Sequence, residues 1–324
     1  MRQVQLYRYR LPIQTGVVLR KQTLTEREGF IVKLQQNEQI GWGEIAPLPT
    51  FSEESLEQAE QQTKAWLKAW QIGQENDLDL LFPSVAFGLS CALAELNGEL
   101  GKQGNYQSAV LCYGDLDKMY QTFGTAQLQQ LGKLKIGQDP ENEGEQANLL
   151  LNTFPNLQLR LDANRLWSLE QAVKFAEKIA NENKPRIQFI EEPCQTPELS
   201  RQFAEQSGIA IAWDETVREP NFLVKKEPNM TAIVLKPTLI GSIQQCTKLI
   251  EQAHQLGIMA VISSSLESSL GLTQLARLAQ QYTPDSTPGL DTLNLMQVQL
   301  LRAWQGSPLP LVDEQSQFVQ EVVL

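Results

Sequence analysis

The sequence predicts an α/β protein: a barrel of repeated strand–helix units preceded by a smaller α+β domain. Three observations carry this. The first hundred residues read as strands followed by helices, the order of an α+β unit. From about residue 108 short apolar strands alternate with helical stretches seven or eight times, the rhythm of a parallel sheet built from βαβ units. At 324 residues the chain exceeds one ordinary domain, which leaves room for a barrel and a second domain.

Residues 3–10, 30–34 and 40–44 read as short strands separated by polar turns, an antiparallel meander. A helix follows with two candidate starts: Ser52 as N-cap with Glu53 and Glu54 in the first turn, or Ser55 and Gln58 as a capping box. Both lead into an amphipathic stretch ending near Gln71. Residues 83–96 form a second helix, apolar on most sides and therefore buried. Strands of the parallel sheet are expected at 109–113, 133–136, 157–161, 187–190, 209–213, 232–235 and 259–263, with a weaker eighth at 290–293. Helices at 169–182, after Ser168 as N-cap, at 242–256 and at 272–280 fit between them. A barrel is the simplest closure for this count, with an open doubly wound sheet as the alternative. No Gly-x-Gly-x-x-Gly follows the first strand, which weakens a nucleotide-binding reading. The expected boundaries are residues 1–100 for the α+β domain and 101–301 for the barrel. Residues 302–324, with an apolar Phe318-Val319 segment, fold back onto the first domain.

Composition narrows the function. A formal charge of −11 argues against a nucleic-acid partner, which would show a clustered basic stripe. No apolar run reaches the ~18 residues of a membrane span, and the first ten residues lack a secretory pattern, so a cytoplasmic protein without membrane or nucleic-acid partners is expected. The single histidine, His254, lies in a helical stretch, which excludes histidine-rich zinc sites and disfavours Ser-His-Asp or Cys-His mechanisms. Cys91, Cys112, Cys194 and Cys246 show no metal spacing and read as reduced structural thiols.

The chemistry is carried by charged residues at the strands. Lys133 and Lys135 lie on the second parallel strand, Asp162 ends the third, Glu191 and Glu192 the fourth, Asp214 and Glu215 the fifth, and Lys236 the sixth. In a parallel barrel the C-terminal strand ends converge on one face, where barrel active sites are built. Asp162, Glu191 and Asp214 are then suited to a hard divalent cation such as Mg²⁺, which prefers oxygen ligands. Lysines on either side of such an ion would face each other across it, an arrangement for removing a proton next to a substrate carboxylate. A lysine that acts as a base must be neutral, and positive neighbours favour that form, so Lys133 and the metal would both serve Lys135. Any one of these motifs alone reads as a solvated strand face or a loop start; their joint placement carries the argument.

With these residues in place, the sequence resembles the enolase superfamily and, within it, the o-succinylbenzoate synthases of menaquinone biosynthesis. The resemblance rests on Gly41-Trp42-Gly43-Glu44-Ile45-Ala46-Pro47-Leu48-Pro49, Lys133-Leu134-Lys135, Leu161-Asp162-Ala163-Asn164, Ile190-Glu191-Glu192-Pro193-Cys194, Trp213-Asp214-Glu215-Thr216 and Leu235-Lys236-Pro237-Thr238. It continues through the serine-rich run from Ser263 to Ser269 and Pro288-Gly289-Leu290-Asp291, and so spans nearly the whole chain. It implies a modified (β/α)7β TIM-type barrel with an α+β capping domain, and Mg²⁺, with Mn²⁺ as a substitute, held by Asp162, Glu191 and Asp214. The implied reaction is syn-dehydration of 2-succinyl-6-hydroxy-2,4-cyclohexadiene-1-carboxylate to 2-succinylbenzoate through an enediolate. Lys135 would remove the proton and then assist departure of hydroxide, with Lys236 stabilising the enediolate from the other face. Ser263, Ser264 and the backbone near Gly289 would hold the succinyl carboxylate, Arg160 would act behind the metal or through water, and segments 16–19 and 47–51 would close over the substrate. The partner is a small-molecule carboxylate, and the chain a monomer or small homo-oligomer.

Alternatives remain at this stage. The same lysines would allow N-succinylamino acid racemisation or dipeptide epimerisation, although the Asp-x-Asp usual in dipeptide epimerases is missing at the last strands. A non-catalytic metal-binding barrel would have lost a ligand or the base. A Schiff-base aldolase using Lys236 would leave the three carboxylates without a purpose.

Overall fold

The computed structural model describes residues 1–14, 16–19, 22–74, 76–112, 116–125 and 131–324. Contacts divide the chain into two compact units, one of Met1–Gln107, Lys236–Ile250 and Ile262–Leu324, the other of Ser108–Leu235 and Glu251–Val261. The first begins with β1 (Arg2–Pro12), then β2 (Val18–Leu19) paired antiparallel with β3 (Gln22–Thr23), β4 (Glu26–Gln36), β5 (Gln39–Ile45), α1 (Leu56–Gln71) and α2 (Pro83–Leu96). β1, β4 and β5 form the expected meander, with Leu6 opposite Val32 and Tyr7 opposite Ile31. Both faces of this sheet are covered, and the two-residue period of a strand sorts the side chains between them. Leu6, Phe30, Val32 and Leu34 pack against Trp66, Leu67, Trp70, Val85 and Leu89 of the two helices. Tyr7, Tyr9, Leu11 and Ile31 pack on the other side with Leu270, Val298 and Leu300. Each such fully buried side chain contributes about 1.5–3 kcal/mol.

Of the two candidate starts for α1, the capping box forms: Ser55 Oγ accepts from Gln58 N, and Gln58 Oε1 accepts from Ser55 N. The Gly-Trp-Gly stretch of β5 has a packing cause. A Cβ at Gly41 would strike Ala92 O, and one at Gly43 would strike Gly88 O, so only glycine lets α2 lie this close to the strand.

The second unit contains β6 (Val110–Cys112), α3 (Leu116–Thr125), β7 (Leu131–Lys135), α4 (Pro140–Thr153), β8 (Gln158–Asp162), α5 (Leu169–Glu177), β9 (Ile187–Glu191), α6 (Pro197–Ser207), β10 (Ile211–Trp213) and β11 (Met230–Leu235). The chain then runs through α7 (Pro237–Ile240) and α8 (Ile243–Gln255) to β12 (Met259–Ile262). All seven expected strands are present, although Tyr113, at the end of the first, lies outside the described residues. Their order in the sheet is their order in sequence, β6 to β12, and the pairs described are parallel. The sheet curls. Arg160 on β8 and Met259 on β12 are four strand spacings apart, about 19 Å in a flat sheet, yet Arg160 Nη2 lies 3.7 Å from Met259 Sδ. Phe189, Ala212, Ala232, Val234 and Val261 form a buried cluster from β9 to β12.

Two expectations need correction. The helix from Leu169 ends at Glu177 rather than near 182, because Asn148 Oδ1 accepts from Ala180 N and draws the following residues out of the helix. Residues 290–293 are not a strand: Gly289 makes a single parallel bridge with Ser263, after which Thr292 N bonds Leu290 O and Leu293–Leu295 form a 3-10 turn.

The remainder of the first unit comprises α9 (Ser269–Tyr282), β13 (Gln299–Leu300), β14 (Leu311–Val312) and β15 (Val319–Glu321). The tail folds back as a strand: β15 pairs antiparallel with β1, Tyr9 opposite Val319. Among the described residues no helix is long and apolar enough to cross a membrane.

Candidate active site

The register of the parallel strands places the charges side by side. Lys133 lies opposite Arg160, and Lys135, Asp162 and Glu191 stand in one row across β7, β8 and β9. Ala212 pairs with Glu191, so Asp214 follows one step beyond the end of β10. The two lysines point the same way because they are two apart on a strand, yet their surroundings differ. The Lys133 side chain is 12% exposed, whereas that of Lys135 is 52% exposed. Lys133 Nζ donates to both Glu191 carboxylate oxygens at 2.8 Å and lies 3.3 Å from Asp162 Oδ2. Burial alone would favour the neutral amine, but the Glu191 and Asp162 carboxylates outweigh it and hold the Lys133 pKa above its ordinary value. Lys133 is thus a fixed cation, and Lys135 is the lysine open to a ligand. Lys135 Nζ lies 3.0 Å from the same Asp162 oxygen and donates to Asn164 Oδ1.

The two glutamates at the end of β9 divide their work. Glu191 faces Lys133, whereas Glu192, fully buried, turns to the next strand end. Its Oε1 accepts from Asp214 N at 3.1 Å and Thr216 N at 2.9 Å, and its Oε2 accepts from Arg165 Nε at 3.0 Å. Arg165 also donates to Thr216 Oγ1 and Glu219 Oε1. This clamp fixes the backbone that carries Asp214. Asn164, Arg165 and Glu192 all have positive φ, at 47°, 58° and 40°, strain that collects at these strand ends. Arg165 was not singled out from the sequence, and Glu192 and Asn164 were named there only as a strand-end charge and a motif member without a role; the available signal was their position beside Asp162 and Glu191.

Arg160 lies two residues before Asp162 on the same face of β8 and is buried. Its Nε donates to Gln188 Oε1 at 2.8 Å, and its guanidinium lies over the Phe189 ring. Burial lowers its pKa to about 10, with Glu191 partly opposing the shift.

Lys236, Ser263, Ser264 and Gly289 belong to the first unit. Lys236 directly follows β11 and precedes α7. Ser263 Oγ donates to Gly289 O at 3.2 Å, Ser264 N donates to the same carbonyl, and the Ser264 hydroxyl bonds that of Thr292 at 2.7 Å. Glu267, buried nearby, accepts from Thr238 Oγ1 and Ser265 N, and burial raises its pKa. Arg27 and Glu44 also bind the serine-rich segment: Arg27 donates to the carbonyls of Leu266, Ala46 and Pro47, while Glu44 accepts from Ser268 N, Ser268 Oγ and Gly271 N. The 46–47 segment is thereby tied through Arg27 to the residues that lead into α9.

As a donor set for a metal, Asp162, Glu191 and Asp214 offer only carboxylate oxygens, each no more than 2% exposed and borne on adjacent strands, which fits a hard cation such as Mg²⁺. Among the described residues no group of three His, Cys, Asp or Glu side chains stands in metal-holding geometry, and the Lys133 ammonium offsets the charge of Glu191 and Asp162.

Comparison with known proteins places the chain in a family. Residues 1–96 match the family described as MenC, N-terminal domain, and residues 125–304 match Enolase C-terminal domain-like. The chain is 54% identical to o-succinylbenzoate synthase from Haemophilus influenzae over 98% of each chain. Among solved structures, o-succinylbenzoate synthase from Thermosynechococcus elongatus BP-1, complexed with Mg in its active site, superposes with a TM-score of 0.73 at 21% identity, over 94% of this chain and 96% of the other. The L-Ala-D/L-Glu epimerase from Bacillus subtilis gives 0.75 at 20% identity, over 91% of each chain. These two likenesses show the fold, an α/β barrel with a capping domain of the enolase type; the sequence identity goes further, and the chain belongs to the o-succinylbenzoate synthase family, carbon–oxygen lyases of the enolase superfamily.

Proposed function

We propose that this chain dehydrates 2-succinyl-6-hydroxy-2,4-cyclohexadiene-1-carboxylate to 2-succinylbenzoate, with loss of proton and hydroxide from one face of the ring, as a step of menaquinone biosynthesis. The observation that carries the reading is the row of Lys135, Asp162 and Glu191 with Lys133 locked beside it. Asp162, Glu191 and Asp214 would hold Mg²⁺, which supplies Lewis-acid charge to a substrate carboxylate. Lys135, open to solvent and held at one edge, takes the proton from the carbon next to that carboxylate. The C–H electron pair passes to the carboxylate as an enediolate, which the Lys236 cation stabilises from the opposite face. The Lys135 ammonium then gives its proton to the departing hydroxide, and water leaves as the ring becomes aromatic. Lys133 remains charged throughout and acts electrostatically. Ser263, Ser264 and the Gly289 backbone receive the succinyl carboxylate, and Arg160 supports the site from behind Asp162.

The test follows aromatic product by absorbance. Turnover should disappear on chelation and return with Mg²⁺, and in part with Mn²⁺. Lys135→Ala should lose at least ~100-fold to 10,000-fold in kcat, the range of a general base, and Lys133→Ala less. Turnover that survives both chelation and Lys135→Ala refutes the reading. A parallel assay of N-succinylamino acid racemisation separates it from the alternative that the same lysines permit.

A further inference from the structure

Two groups hold the Lys135 ammonium: Asp162 Oδ2 at 3.0 Å and Asn164 Oδ1. An amine that accepts a proton carries two N–H bonds and one lone pair, arranged tetrahedrally about nitrogen with the bond to its own side chain. If the two N–H groups point at the Asp162 and Asn164 oxygens, the lone pair is left with one direction, away from both. Without Asn164, one oxygen would hold the end of a flexible four-carbon side chain that is 52% exposed, and the lone pair would sweep a cone of directions.

Asn164 is itself fixed. Its backbone N donates to Asp162 Oδ1 at 3.2 Å, and its Nδ2 reaches Glu215 Oε1 at 3.5 Å. An ionised Glu215 accepts hydrogen bonds and offers none, so it selects the amide orientation that presents oxygen to Lys135. The residue sits at φ 47°, a conformation that asparagine tolerates better than most.

We infer that Asn164 is a positioning residue for Lys135: its side-chain oxygen sets the direction in which Lys135 first receives and then returns the proton. The inference rests on the proposed role of Lys135 as the base. When the substrate C–H bond breaks, its electron pair passes to the carboxylate and its proton becomes the third N–H of Lys135. That proton then leaves with hydroxide as water, so one fixed direction serves both transfers.

The experiment compares Asn164→Gly and Asn164→Ala with the unaltered protein. Glycine removes the amide while tolerating the left-handed backbone and keeping the N–H that donates to Asp162, so that variant is free of the backbone strain an alanine adds, and its melting temperature reports any remaining effect on folding. Measured are kcat, KM, the Mg²⁺ concentration for half-maximal rate, the melting temperature, and the primary deuterium isotope effect on kcat with substrate labelled at the carbon that loses its proton. Both variants should lose about 10- to 100-fold in kcat, equivalent to about 1.4–2.7 kcal/mol. KM and the Mg²⁺ requirement should stay within about 3-fold, and the isotope effect should rise as proton transfer becomes limiting. Retention of kcat within about 3-fold in both variants overturns the inference. So does a loss accompanied by a lower melting temperature and a higher Mg²⁺ requirement at an unchanged isotope effect, which would assign Asn164 to the fold or the metal site. Failure of the unaltered protein to dehydrate the substrate overturns the proposed function and this role with it; insensitivity of the variants in an active enzyme overturns only this role.

Discussion

Replacing Glu192 by Ala tests how the Asp214 strand end is held. Glu192 is fully buried and accepts three hydrogen bonds, from Asp214 N, Thr216 N and Arg165 Nε. Truncation strands two backbone N–H groups, at about 1–3 kcal/mol each. Arg165 keeps Thr216 and Glu219 as partners, so its charge is not isolated. The expected loss is therefore about 2–6 kcal/mol, set by the two stranded backbone donors. Glu192→Gln keeps one carbonyl oxygen for the backbone donors but turns an NH₂ toward Arg165, and should fall between. Urea unfolding followed by tryptophan fluorescence measures the stability. Because the backbone of Asp214 loses its anchor, the Mg²⁺ requirement for activity should also rise, by about 10-fold, or about 1.4 kcal/mol. A Glu192→Ala protein within about 0.5 kcal/mol in stability and unchanged in Mg²⁺ response would refute the clamp.

Two further outcomes follow from the first unit. Gly43→Ala sets a Cβ against Gly88 O, backbone against backbone, so α2 must shift off β5; a destabilisation of about 2–3 kcal/mol is expected in urea unfolding. Burial raises the pKa of Glu267 in the fold, so the folded protein binds that proton more tightly than the unfolded chain. Stability of the native chain relative to Glu267→Gln should therefore fall as pH rises from the ordinary glutamate value through the folded one, and level off above it. A melting-temperature difference that stays flat from about pH 4 to about pH 8 would refute this.

Much of the site was legible because strand ends announce themselves locally. An apolar run closed by Asp162, Glu191 or Asp214 is visible without knowing what the strand pairs with, and the seven strands lie where the alternation of apolar runs put them. The eighth was misread because Leu290 and Leu293 are buried, as a strand would require, while their backbone forms a turn. The division between the adjacent Glu191 and Glu192 was equally hidden, since which of the two turns to a lysine and which to a backbone depends on the φ of 40° at Glu192.

Periodicity and spacing by themselves determined the α/β class, the strand order in sequence, and the position of Lys133, Lys135, Asp162, Glu191, Asp214 and Lys236 on strands or directly after them, because these depend on patterns a few residues long. Tertiary structure decided what those patterns cannot encode. Register put Lys135 in the row of Asp162 and Glu191, curling of the sheet brought Arg160 to Met259, and the Glu191 and Asp162 carboxylates locked Lys133 as a cation while Lys135 stayed exposed. The physical reason is that charge and direction at a site are set by neighbours remote in sequence, which are brought within hydrogen-bonding distance only when the strands pair.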